Sequence, residues 1–267
     1  MACNPGVAPT PDYAADGGAK PGAAGYGGGC GYDVEEGGVP AEELTGVGES
    51  ATRRAFLVKV YSILVIQLMW TIGIVCLSIF VVPIREFFFN NYWMWIIFFV
   101  CVIISIFVTI AVRKKHPWNL VSLGVLTTLE GFLLGVICAM YYSIGWGDTI
   151  LLALVLTTSV FVFITAFCFA TRIDFSFLYA FLAGAIFVVF IAAMAVLVAG
   201  WVGAYNKWAS FGISVAFALV MMGYILYDTS RILLKLSVDE YIEAAVSLYT
   251  DFASLFLAFL GVASIAN

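Results

Sequence analysis

Three acidic residues sit where a charge is costly. Glu130, Asp228 and Asp251 each lie inside a long apolar stretch, and a carboxylate surrounded by lipid costs several kcal/mol, so it defaults to a functional hypothesis. Asp228 lies 11 residues before Asp239, and Asp251 lies 12 residues after it. If the chain folds back near Asp239, two antiparallel helices return these carboxyls to similar depth, within a turn or two. An earlier turn would put them out of level by ~9 Å at 1.5 Å per residue, which helix tilt can absorb. Two carboxylates facing each other in a low-dielectric interior cannot both ionise cheaply and would share a proton. Such a pair can act as a pH sensor, a cation site or a catalytic dyad. The plainer reading is that each aspartate satisfies nearby backbone, serine or threonine groups on its own.

Other residues qualify as partners. Carboxylate oxygens suit a hard cation, so Asp228 and Asp251 are candidate ligands for a weak, transient cation contact. They do not make a closed cage. Glu130, flanked by Thr127, Thr128 and Gly131, is a candidate for the cation pathway. Arg113 opens the run Arg113-Lys114-Lys115-His116. As surface charge the run is a membrane anchor, and Arg113, the innermost, can also turn inward as a counter-charge to the aspartates. His116, beside Pro117, reads as a solvated loop residue. Cys76, Cys101, Cys138 and Cys168 fall in apolar runs, where cysteine behaves as a small hydrophobe. With no CxxC pair and one histidine, no zinc pattern exists.

The elements that must hold these groups are membrane helices. Of 267 residues, 63% are hydrophobic and 11% charged, against about 25% charged in soluble domains, and the mean hydropathy is +1.06. The expected fold is all-α and polytopic, with seven transmembrane helices. Runs of spanning length predict helices near Tyr61–Val82, Trp93–Val112, Leu120–Tyr142, Thr149–Ala170, Phe175–Val198, Trp208–Ile232 and Tyr241–Ile265. Glu243 and Asp251 interrupt the last, which either spans or re-enters. Pro83 and Pro117 fall in expected loops, where a missing N–H costs little. Ser237-Val238-Asp239-Glu240 has the S-x-x-E spacing of a capping box and marks the start of the seventh helix. Tryptophans gather at the expected ends, as interfacial belts require.

Charge sets the expected orientation. Arg53, Arg54, Lys59, Arg113, Lys114, Lys115, Arg172, Arg231 and Lys235 fall on one side, and Arg85 and Lys207 on the other. The positive-inside bias puts the N-terminus in the cytosol, with the first helix as an uncleaved signal anchor. Residues 1–50 hold 13 glycines, five prolines and eight acids against the single base Lys20. They are expected to be a disordered, acidic cytosolic tail preceding a membrane domain over 51–267. The remainder carries 9 acids against 11 bases, so no basic domain exists to bind nucleic acid.

Several segments, in order, resemble the transmembrane Bax-inhibitor motif family, lifeguard branch. They are Arg54-Ala55-Phe56-Leu57-Val58-Lys59-Val60-Tyr61-Ser62-Ile63-Leu64 with Gln67-Leu68, then Pro117-Trp118-Asn119 and Thr128-Leu129-Glu130-Gly131. Tyr227-Asp228-Thr229, Asp239-Glu240-Tyr241-Ile242 and Leu248-Tyr249-Thr250-Asp251-Phe252 complete the set. The resemblance runs from about Arg53 to the end. It implies six helices around a central seventh, a pH-sensitive calcium leak from intracellular stores (endoplasmic reticulum or Golgi) and a pro-survival role. Apoptosis-regulatory membrane proteins are the partners it implies. It also implies that Asp228 and Asp251 are the pH sensor and Arg113 the latch. One departure stands out: bacterial relatives place a glutamate in the middle of the second helix, where this chain has Phe99-Val100-Cys101-Val102-Ile103.

Other classes fit less well. Intramembrane aspartyl proteases also put aspartates on helices 6 and 7, the first in a Tyr-Asp pair. Their second lies in Gly-x-Gly-Asp and a Pro-Ala-Leu segment follows, whereas here Asp251 follows Leu248-Tyr249-Thr250 and no proline follows Pro117. A retinal protein needs a lysine in its last helix, and none follows Lys235. A non-conducting adaptor that binds death-pathway partners would use the same fold as a channel. The expectation is a non-enzyme without a cofactor, in contact with lipid and with Ca2+ as the permeant ion.

Overall fold

The computed structural model describes residues 41–91, 93–204 and 206–264; of the tail expected over residues 1–50, residues 1–40 lie outside them. The elements are α1 (Ala41–Phe80), α2 (Val82–Asn90), α3 (Met94–Val112), α4 (Trp118–Ser143), α5 (Gly147–Thr171), α6 (Leu178–Trp201), α7 (Lys207–Leu234), a 3-10 turn (Val238–Glu240) and α8 (Tyr241–Ala263). No strand occurs among the described residues. Helix α1 begins at Ala41, so residues 41–50, expected as tail, are helical.

Six of these helices, over Ala51–Phe80, Trp118–Ser143, Gly147–Thr171, Leu178–Trp201, Lys207–Leu234 and Val238–Ala263, are long and apolar enough to cross a membrane. Ile96–Val112, the apolar part of α3, is shorter. The chain is thus a multi-pass membrane protein. Each long helix matches an expected segment, whereas α2 does not. Its nine residues, VPIREFFFN, are too short and too mixed in charge to register as a span. Pro83 is not in a loop; it sits in the first turn of α2, where the proline N–H would have no intrahelical partner anyway. The capping box is present: the Ser237 side chain receives the Glu240 backbone, and the Glu240 carboxylate accepts from the Ser237 N–H at 3.1 Å.

Helix α8 is the inner element. In its most apolar stretch 61% of positions are buried, against 6% in α6 and 17% in α5 and α7. It packs against α7, α5, α4 and α3, while α6 packs on α7. Phe56, Val60 and Leu64 of α1 join Ile225 and Ile232 of α7 and Leu248, Tyr249 and Leu255 of α8 in one apolar core. The outer faces carry exposed Phe163, Phe181 and Trp201, which suit lipid and would be unstable in water. Small residues let backbones approach. A Cβ on Gly135 would meet the Ser78 Oγ of α1 at 2.5 Å, and one on Gly261 would meet the Ser214 Oγ of α7 at the same distance. The α1–α4 contacts Gln67–Thr127, Ile74–Gly131 and Ser78–Gly135 advance together along both helices, so α1 and α4 run parallel. Beside them, a cavity of about 970 Å3 opens between α1 and α5, walled mostly by side chains such as Leu68, Leu154 and Phe161.

Candidate functional site

The structure brings Asp228 and Asp251 together. The chain reverses through the 3-10 turn, and the two carboxyls of α7 and α8 lie within hydrogen-bonding reach of each other. Asp251 is buried and its Oδ2 has no hydrogen-bond partner among the described residues. Asp228 is half-buried. The Ser247 hydroxyl, one turn before Asp251, also reaches Asp228. Tyr224, one turn before Asp228, faces both acids. The seat is therefore a carboxyl pair rimmed by hydroxyls at the α7–α8 contact. Such a pair holds a proton between its members, or a cation in place of that proton.

Arg113 is placed differently from the expected direct latch. It caps α3, and its ion pairs among the described residues are with Glu243, and with Glu240 at 3.9 Å. The arginine that acts on Asp228 is Arg231, three residues further along α7. Arg231 in turn bonds Glu243 at 2.5 Å. From the aspartate pair outward the charges alternate in sign: Asp228, Arg231, Glu243, Arg113. Sequence reasoning missed Arg231 and Glu243. Their signal was helical spacing, since Arg231 follows Asp228 at i+3 and Glu243 precedes Asp251 by 8 residues, both close to one face of their helices.

The same end of the bundle is tied by further polar contacts. Arg53 of α1 donates from Nε to the Leu233 carbonyl at 3.1 Å and from Nη1 to the Leu236 carbonyl, so it satisfies carbonyls that the end of α7 leaves open. The Lys59 ammonium lies 3.3 Å from the Tyr241 ring centroid. Between α5 and α6, Lys235 holds Asp174 at 2.8 Å. Hydrogen bonds from Lys235 and Ser176 hold the Asp174 carboxyl below its ordinary range, at about 2.

Glu130 belongs to a second, separate cluster. It is buried in α4, is in none of the ion pairs among the described residues, and acts on Tyr249 but on neither aspartate. Around it, Gln67 donates from Nε2 to Thr127 Oγ1 at 2.9 Å, and Thr71 and Tyr249 share a hydrogen bond of 2.8 Å. Among the described residues no group of three or more His, Cys, Asp or Glu side chains is placed to hold a metal.

Protein LIFEGUARD 1 of Arabidopsis thaliana is 35% identical over 239 residues, covering 87% of this chain and 98% of the relative. Protein LIFEGUARD 4 of the same plant is 34% identical over 249 residues, covering 86% and 94%. Protein lifeguard 3 of Homo sapiens is 28% identical over 247 residues, covering 86% and 75%. The family profile described as "Inhibitor of apoptosis-promoting Bax1" matches residues 53–267, a range that takes in the carboxyl pair, the charge line and Glu130 alike. The chain is a member of this Bax inhibitor family, among relatives that bear the lifeguard name.

Proposed function

We propose that this protein is a pH-sensitive calcium leak pathway, or a regulator of one, in an intracellular store membrane, and that it favours cell survival. The observation that carries the reading is the placement of the Asp228 and Asp251 carboxyls near each other where α7 meets the inner helix α8. In this account seven helices span, with α3 the shortest, and six of them surround α8. The N-terminus is cytosolic, so the basic end of the bundle faces the cytosol, and the store is endoplasmic reticulum or Golgi. The carboxyl pair closes the pathway while it carries charge, because Arg231 is drawn to Asp228 and is itself anchored through Glu243 to Arg113. Arg113 therefore latches the pair at second hand.

Protonation weakens the draw on Arg231 and loosens the line, so the leak rises as pH falls. Calcium meets carboxylate and hydroxyl oxygens on its way, a transient contact suited to passage. The test is calcium flux from proteoliposomes containing the purified protein. A flux that follows pH in the wild type and goes flat in Asp228→Asn and Asp251→Asn supports the gate. Wild-type vesicles that leak no faster than empty ones would leave an adaptor role as the better account.

A further inference from the structure

The Glu130 cluster has a hydrogen-bond imbalance that points to an occupant. Gln67, Thr127 and Glu130 are each at most 6% exposed, and Tyr249 is fully buried. The donors can be followed one by one. Thr71 Oγ1 donates to the Gln67 carbonyl at 2.9 Å, so the Tyr249 hydroxyl is the donor in its 2.8 Å bond to Thr71. Gln67 Nε2 donates to Thr127 Oγ1, and Thr127 donates to the Leu123 carbonyl at 2.8 Å. Every hydroxyl proton in the cluster is then used. Among the described residues, Gln67 Oε1 and Glu130 Oε2 have no hydrogen-bond partner. A buried acceptor left unmet is costly, and more so when it carries charge, so two of them in one cluster call for a shared proton or a positive ion.

We propose that Glu130 and Gln67 form a sodium-ion site at the junction of α1, α4 and α8. The register places them together: Gln67 pairs with Thr127, and Glu130 lies three residues further along the same α4, where α1 presents Trp70 and Thr71. Tyr249 bonds Thr71, contacts the Thr127 carbonyl at 3.4 Å and acts on Glu130, so it brings α8 to the same level. The donors available to an ion are all oxygens: one carboxylate, one amide and the hydroxyls of Thr71 and Tyr249. This set suits a hard cation. Charge then selects the valence. One carboxylate without an ionic partner neutralises one positive charge, whereas a divalent ion would keep an uncompensated charge in a low-dielectric interior. The site differs from the proposed calcium gate in residues and ion, and shares with it only the inner helix α8. Its role is to clamp α1 and α4 onto the inner helix, so its readout is stability, not flux.

The experiment is thermal unfolding of the detergent-purified full chain, titrated with NaCl against N-methyl-D-glucamine chloride at constant ionic strength. The wild-type midpoint should rise with the logarithm of sodium concentration, reaching about 3–6 °C where sodium exceeds its dissociation constant about tenfold. Glu130→Gln and Gln67→Ala should lose the sodium-specific rise, and Asp251→Asn should keep it. Sodium-23 line broadening by wild-type protein, relieved in Glu130→Gln, gives a second measure that does not depend on the variants' melting. Equal wild-type midpoints in the two salts would overturn the site and leave Glu130 bonding Gln67 through its own proton. Retention of the rise in both cluster variants, or its loss in Asp251→Asn, would also overturn it, since the ion would then bind elsewhere.

Discussion

At the scale of single residues, Glu243 joins two arginines that would otherwise repel. Arg113 and Arg231 both pair with it, and Arg231 also acts on Asp228. If the latch runs through this one carboxylate, Arg113→Ala and Glu243→Gln break the same line. Each should raise calcium leak at alkaline pH, and the double variant should leak little more than either single one, because coupled residues do not add. Flux assays on the four proteins measure this, and additive increases would mean that the two residues act separately. Asp174 provides a pH test outside the membrane. Its carboxyl titrates at about 2, below the ordinary 3.8, because Lys235 and Ser176 hydrogen-bond its charged form. The sign follows: what the contact adds to stability is fully present above about pH 3.8 and is lost as pH falls through about 2. Carbon-13 titration should find the midpoint near 2 in the wild type and nearer 3.8 in Lys235→Ala; an unmoved midpoint would remove Lys235 as the cause. The aspartate pair and Glu130 were legible in the sequence because an acid in an apolar run stands out. The route from Arg113 to the pair was not, since side chains at the basic end choose among several partners that only packing decides.

At the scale of elements, helix boundaries followed from physical signals that are local. The apolar runs gave the long helices, and Ser237 with Glu240 gave the start of the last one. Helix α2 escaped notice because nine residues carrying Arg85 and Glu86 make no spanning run. The close approach of α1 and α4 was equally hidden, for Gly135 is one small residue among many until Ser78 is seen against it. That contact leads to a stability prediction. Gly135→Val places a branched side chain where a single Cβ already meets Ser78 Oγ at 2.5 Å and Ser78 Cβ at 2.9 Å. Overpacking of this kind costs about 1–3 kcal/mol. Thermal unfolding should show Gly135→Val melting several degrees below the wild type, with Gly124→Val, where a Cβ would meet no packing neighbour within 4 Å among the described residues, losing less. Equal losses would mean that α1 and α4 are not held at the modest separation the glycine permits.

At the scale of the whole molecule, an inner helix lined by its neighbours buries Asp251 and leaves Asp228 half-buried beside it, and the exposed apolar faces of α5 and α6 give the bundle its contact with lipid. Orientation is the first thing to check. A cysteine introduced at Ser50 should label only after the membrane is permeabilised, and one at Gly147 should label from the lumenal side; the reverse pattern would invert the proposed topology. The central claim concerns the gate and is tested most directly by calcium flux from proteoliposomes of wild type, Asp228→Asn and Asp251→Asn, at matched protein density, as pH is stepped down through neutrality. The account predicts a wild-type leak that rises as pH falls and a flat profile in each variant, since either substitution removes the shared proton. Two variants that keep the wild-type pH profile would contradict it.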